Sequence, residues 1–245
     1  MPPIRPAAFA FLIALLAAPA SAQDAPVPRT DDEIKALVLE AIRENPGIIE
    51  EAVQLLREQE EERQLLAARA VLEDRAAMEE NAPVIANVEG DVTVVEFLDY
   101  NCPYCKRALE EVDALVAADP NVRLVVREWP ILGPDSVVAA RAALAAREQG
   151  QYEEMHEALM ALDRADESSV MGAAAAIGLD VEKLAADMAS PTIDAHFQRS
   201  NELALGLGFS GTPSFVVGDE LVPGVAPADA MRDLVERARA AAGGN

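Results

Sequence analysis

The sequence predicts an α/β domain whose sheet is interrupted by a helical insert and preceded by a separate helical segment. Three observations carry this: an apolar run over residues 92–100 opening onto a helix, helical periodicity over 137–207, and a short hairpin with a closing helix after residue 211. Half of the residues are apolar (51%) but only 4% are aromatic, and the weight on Ala and Leu suits a helix-rich protein. A formal net charge of −23 argues against nucleic acid and anionic membrane surfaces as partners. The acidic residues are scattered, as on a solvated surface.

The first 22 residues read as a signal peptide. Arg5 supplies the positive start, Ala7 to Ala18 the apolar stretch, and Ala20-Ser21-Ala22 the small-x-small cleavage site. The apolar stretch is short for a bilayer span. Cleavage after Ala22 leaves a chain starting at Gln23, expected in an oxidising compartment such as a bacterial periplasm. No Cys near the site offers a lipid anchor, and no second apolar run reaches spanning length.

Residues 23–82 form the N-terminal helical segment. Asp31-Asp32-Glu33 places acid at a helix start, and Ile34, Leu37, Val38, Ala41 and Ile42 make an apolar stripe. Asn45-Pro46-Gly47 breaks it. A second helix, about Ile48 to Glu80, carries Ile49, Val53, Leu56, then the charged stretch Arg57 to Gln64, then Leu65, Leu66 and Leu72. Such stripes cannot be buried by the helices alone, so homo-oligomerisation (dimer or trimer) is expected over packing within one chain.

Residues 83–245 form the main domain. Val92 to Tyr100 is β-branched and apolar on both faces, as in a strand covered on both sides. The only cysteines follow at once, in Cys102-Pro103-Tyr104-Cys105, and two cysteines scattered at random rarely fall three apart. A structural bridge closing so short a loop constrains little. Zinc needs further ligands, and His156 and His196 lie far off without paired spacing; both read as helix residues, His156 on the surface. Lys106 to Ala118 reads as a helix with Leu109, Val112, Leu115 and Val116 on one face, and Pro103 suits its first turn. The motif therefore sits at a helix N-terminus, where unpaired N–H groups and the dipole favour a thiolate. Cys102 is the expected nucleophile and Cys105 the resolving thiol. Glu96 is anomalous: a carboxylate in a two-sided apolar strand costs several kcal/mol unpartnered. Lying six residues before Cys102, it is placed to exchange a proton with Cys105. Asn121 to Glu128 reads as the next strand, with Trp129 packed in the core after it. The insert spans about 137–208, Ser214 to Val222 makes the hairpin, and Pro227 to Ala240 the closing helix.

Three separated motifs resemble the DsbA-like family of thioredoxin-fold thiol–disulfide oxidoreductases: Glu96 to Cys105, Arg127 to Ser136, and Gly211-Thr212-Pro213-Ser214-Phe215. The resemblance covers residues 84 to about 240 and implies a thioredoxin sheet with an inserted helical domain. It also implies a cis Pro213 and a Thr212 backbone that pairs with an extended substrate peptide beside Cys102. Thr212 before that proline, and the Pro103-Tyr104 dipeptide, are similar to isomerase and reductase members. The N-terminal segment resembles the oligomerisation region of the copper-sensitivity suppressor branch. No cofactor is expected. The implied partners are cysteine-containing exported proteins and a membrane thiol-redox partner.

Three readings follow: a disulfide isomerase or reductase, a disulfide-donating oxidase, and a periplasmic protein whose reduced Cys102 and Cys105 hold copper(I), a soft ion suited to thiolates.

Overall fold

The computed structural model describes residues 30–243; the expected signal peptide, its cleavage site and Gln23 lie outside them. The chain divides into two compact units at residues 56 and 57.

In the first unit, α1 (Asp31–Glu44) begins in a capping box, Thr30 accepting from the Glu33 N–H while Glu33 accepts from the Thr30 N–H, with acid in the first turn. It ends at Asn45, and α2 (Gly47–Glu73) starts after Pro46. Ile34, Leu37, Val38, Ile49, Val53 and Leu56 are all exposed, so the stripe has no cover within the described chain.

The second unit starts within α2. Its last turns sink Ala68 and, in part, Val71 and Leu72, and Gln64 donates to the Leu205 and Gly206 carbonyls. Val71 reaches its seat because position 206 is glycine: a Cβ there would stand 2.9 Å from Val71 Cγ2. Asp74 then caps a short helix, α3 (Arg75–Glu79), where the periodicity predicts one helix to Glu80. Arg75 ties α3 to the Gly218 carbonyl and to Asp219.

Four strands make the sheet, in the order β2-β1-β3-β4. β1 (Val92–Leu98) runs parallel to β2 (Val122–Glu128), Glu96 opposite Val126 and Leu98 opposite Glu128. β3 (Ser214–Val217) is antiparallel to β1, and β4 (Glu220–Pro223) closes the hairpin. β1 ends two residues earlier than the apolar run suggests, because residues 99–101 turn into the helix α4 (Pro103–Ala118).

Alternation along the strands gives the sheet two faces. Val92, Val94, Leu124, Phe215 and Val217 pack under α4 and the closing helix α10 (Ala228–Gly243). Val95, Phe97, Val125 and Val216 point the other way, against Met78 of α3 and Leu203 and Phe209 near the end of α9 (Pro191–Gly206). Trp129 joins that second core, edge-on to Phe97, and donates to Asn201. The insert opens with α5 (Pro134–Ala146), whose alanines at 139, 140, 142, 143, 145 and 146 are all buried, as in a helix surrounded by others. Around it lie α6 (Tyr152–Met160), α7 (Glu167–Ala176) and α8 (Val181–Asp187), in one core with Leu98, Cys105 and Val126.

Candidate active site

The turn before α4 is built by Asp99. Its carboxylate accepts from Asn101 N–H and from the Ile131 and Leu132 N–H groups, while its carbonyl accepts from Cys102 N–H. One side chain thus holds the start of the motif against the loop after β2. Asn101 is clasped in turn by the insert, accepting from Ala165 N–H and donating to Ala165 O.

Cys102 is the N-cap of α4 with an extended backbone, and Pro103 takes the first helical position. Both thiols are free, Cys102 at 4% exposure and Cys105 at 0%. Their proton affinities diverge. Cys102 is brought down to about 5, first by the Cys105 thiol, with help from the Tyr104 and Cys105 N–H groups at the open helix end. Cys105 is pushed far up, by burial first and then by Cys102 and Glu96. The helix end thus favours the thiolate on Cys102, while burial favours the thiol on Cys105.

Thr212 and Pro213 lie across from the motif. Their peptide bond is cis, and the Cys102 sulfur lies 3.1 Å from the Thr212 carbonyl oxygen, to which it donates only in its protonated form. The buried Thr212 hydroxyl also helps to lower the proton affinity of Cys102. Tyr104 points outward at 55% exposure with the Arg107 guanidinium over its ring. Exposed Ile131 and Leu132 add apolar surface on the loop that Asp99 holds. Lys106 reaches the insert, donating to the Leu162 and Asp163 carbonyls.

Glu96 lies in β1 below Cys105, buried and with no hydrogen bond or ion pair among the described residues. Burial, then Glu128 and Asp113, raises its carboxyl to about 8. The structure thus brings Cys102, Cys105, Glu96, Thr212 and Pro213 to one place.

A further set of polar groups lies beside them that the sequence reading passed over. Glu128, fully buried at the end of β2, accepts at Oε1 from Tyr100 at 2.8 Å and Tyr152 at 2.6 Å, while Oε2 has no partner. His156 Nδ1 stands 3.0 Å from the Tyr100 hydroxyl, and His196 Nε2 accepts from the Glu128 N–H. The expectation of a surface His156 is therefore corrected, and neither histidine lacks partners: both are buried, held neutral by burial at about 4 and about 3. Sequence offered one signal for this set. Glu128 is a carboxylate ending a two-sided strand, the same anomaly that singles out Glu96.

Among the described residues no group of three or more His, Cys, Asp or Glu is placed to hold a metal, and no helix is long and apolar enough to cross a membrane.

Comparison with known proteins agrees with this fold. The family described as DSBA-like thioredoxin domain matches residues 93–236, more than half of the chain. A thioredoxin-like oxidoreductase from Silicibacter pomeroyi is 58% identical, with a TM-score of 0.67 over 68% of this chain and 98% of that one. The ScsC protein of Proteus mirabilis, in a linker-deleted form, is 25% identical with a TM-score of 0.65, over 89% of this chain and 99% of that one. A Na(+)/H(+) antiporter NhaA from Herminiimonas arsenicoxydans is 32% identical over 163 residues, 64% of this chain. The chain spans only 26% of that relative's length.

Proposed function

The chain belongs to the DSBA-like thioredoxin family, and from that premise we propose that it is an exported protein thiol–disulfide oxidoreductase acting through Cys102 and Cys105. The observation that carries the reading is the placement of the two sulfurs: Cys102 caps the N-terminus of α4 opposite the cis Thr212–Pro213 bond, with Cys105 wholly buried one turn behind it.

In the isomerase or reductase direction, the Cys102 thiolate attacks a disulfide of a substrate protein. A Cys102–substrate bond forms and one substrate sulfur leaves as thiolate. Cys105 then gives its proton to Glu96 and attacks Cys102 Sγ. In reduction the Cys102–Cys105 bond forms, the second substrate sulfur leaves as thiolate, and two electrons have passed to the substrate. In isomerisation a substrate thiolate attacks the mixed disulfide instead, and Cys102 leaves as thiolate with no net electron transfer. An extended substrate segment pairs with the Thr212 backbone beside Cys102, and Pro103 and Tyr104 tune the couple from within the motif.

We favour this direction because the uncovered stripe over residues 34–56 suits a homo-oligomer, dimer or trimer, that sets several motifs around one client. A membrane thiol-redox partner would then keep the cysteines reduced. The low proton affinity of Cys102 favours a second reading, the disulfide-donating oxidase, because a stable thiolate favours the reduced form and makes the disulfide a stronger oxidant. Location in the periplasm follows from the signal peptide and would be checked by sequencing the exported chain's N-terminus.

Equilibration in glutathione buffers separates the readings. A potential near −200 mV or below, about where isomerases and glutaredoxins lie, supports reduction and isomerisation, and one near about −120 mV supports the oxidase. Absence of any reversible couple, with tight copper(I) binding by the reduced thiols, would replace both by the metal-binding reading.

A further inference from the structure

We propose that Glu128 and Glu96 form one proton-sharing pair, and that Glu128, as a positioning residue, sets how strongly Glu96 takes the proton of Cys105. The inference rests on the disulfide-exchange reading and deepens it.

The register of the two parallel strands carries the argument. Glu96 lies opposite Val126 and Glu128 opposite Leu98, so both carboxyls point to the same face as diagonal neighbours on adjacent strands. That face packs against α4 and the insert and holds Cys105. Glu96 is 4% exposed and Glu128 0%, and among the described residues no Lys or Arg forms an ion pair with either. Two buried anions side by side with no cation repel each other, so the first proton to arrive is bound strongly and belongs to both.

The groups around the pair supply no compensating charge. From α4, Cys105 and the exposed Asp113 face Glu96, and Asp113 adds negative charge. Glu128 meets Tyr100 from the turn after β1, Tyr152 from α6 and the charge of Asp99 from the turn, while His156 of α6 backs the Tyr100 hydroxyl. Both tyrosines resist ionisation and His156 is neutral, its Nδ1–H free to donate to the Tyr100 oxygen while Tyr100 donates to Glu128. Oε2 of Glu128 is buried with no partner among the described residues, so it is the oxygen left open to a proton. With Glu128 ionised, Glu96 is the stronger base for Cys105; with Glu128 protonated, it is the weaker one. Tyr100 also joins the pair to the redox motif, lying two residues before Cys102 and touching Glu128 directly.

The test is a carboxyl-carbon NMR titration of the full chain, reduced and oxidised, for wild type, Glu128→Gln, Glu96→Gln and Asp113→Asn. Gln keeps an acceptor for Tyr100 and Tyr152, so Glu128→Gln retains the fold while losing the charge. The expected result is a fall in the Glu96 midpoint by about one pH unit or more, a tenfold change in proton affinity, and a fall for Glu128 in Glu96→Gln that reports the same coupling free energy, scaled by the order in which the two titrate. Asp113→Asn should move Glu96 by less. The pH profile of single-turnover disulfide exchange should shift with the Glu96 midpoint. If Glu128→Gln does not fold, Glu96→Gln read at Glu128 decides the same point. Unchanged midpoints in both variants overturn the pair while leaving the oxidoreductase reading intact. Coupled midpoints in a protein that performs no disulfide exchange would sink the function and keep the pair.

Discussion

Arg127 and Glu128 are neighbours in sequence, both wholly buried, and they face opposite sides of the same sheet. Toward α9, the Arg127 guanidinium donates to the carbonyls of Ala77 and Glu80, the end of α3, where the helix dipole presents its negative pole. Burial and the charge of Arg199 bring its affinity down to about 10, so it stays charged in a site furnished with acceptors. Toward α4, Glu128 meets two hydroxyls and another carboxyl, and is raised to about 8, chiefly by burial. The first charge is answered by fixed dipoles at its two terminal nitrogens, with only Nε left bare among the described residues, and serves the fold. The second is left short of compensation, on the face of the sheet that carries Glu96 and Cys105. Burial alone does not mark a functional charge; how the charge is answered does.

The sharpest way to break this comparison is to remove the chemistry from one face and the packing from the other. Cys102→Ser should drop disulfide exchange to background in an assay with a cysteine-containing substrate, with melting unchanged. On the opposite face, Phe97→Ala removes a ring at 0% exposure that meets Trp129 and Phe209 edge-on. It should cost about 3–5 kcal/mol in denaturant unfolding. The thiolate absorbance of Cys102 should still titrate with a midpoint of about 5. A large shift of that midpoint in Phe97→Ala would mean the two faces are not separable.

The next effect is visible only against pH. A carboxyl whose folded affinity is raised from 4.5 to about 8 stabilises the fold fully below 4.5, and that contribution is lost as pH rises through about 8. Stability of Glu128→Gln relative to wild type should therefore improve across this window, by on the order of 2 kcal/mol after allowing for the proton shared with Glu96. Equal pH slopes in calorimetry would place an ionised Glu128 in the native state at neutral pH. Smallest is Arg127→Met, which leaves two carbonyls without their donor at nearly constant volume. It should cost about 1–2 kcal/mol, equally at low and high pH.

Much of the chemistry was legible in the residues. A Cys-x-x-Cys pair between a two-sided strand and an amphipathic helix places the thiols at a helix N-terminus, and Glu96 stands out because Val94, Val95, Phe97 and Leu98 around it are apolar. Glu128 was missed because a charged residue at a strand's end reads as the exit to solvent. Its burial comes from α6, some two dozen residues later, which lays Tyr152 over it. His156 and His196 were hidden for the same reason: their partners, Tyr100 and the Glu128 N–H, lie more than fifty positions away. The helical stripe was readable as apolar, but periodicity does not say what covers it. The structure answers differently along the one helix α2, since Val71 and Leu72 are partly covered in the second unit while Ile49 and Val53 stay exposed in the first.

The glycine at 206 carries that last distinction into descent. Its missing Cβ is what lets Val71 close to its seat on α9, so the vacancy has a use only in a chain that owns the end of α2. In lineages that shed the N-terminal helices, the site is released from that restriction and should drift toward alanine or larger residues. Lineages that keep the helices should hold glycine there. A single small residue would then serve as a fossil record of whether the appendage was present.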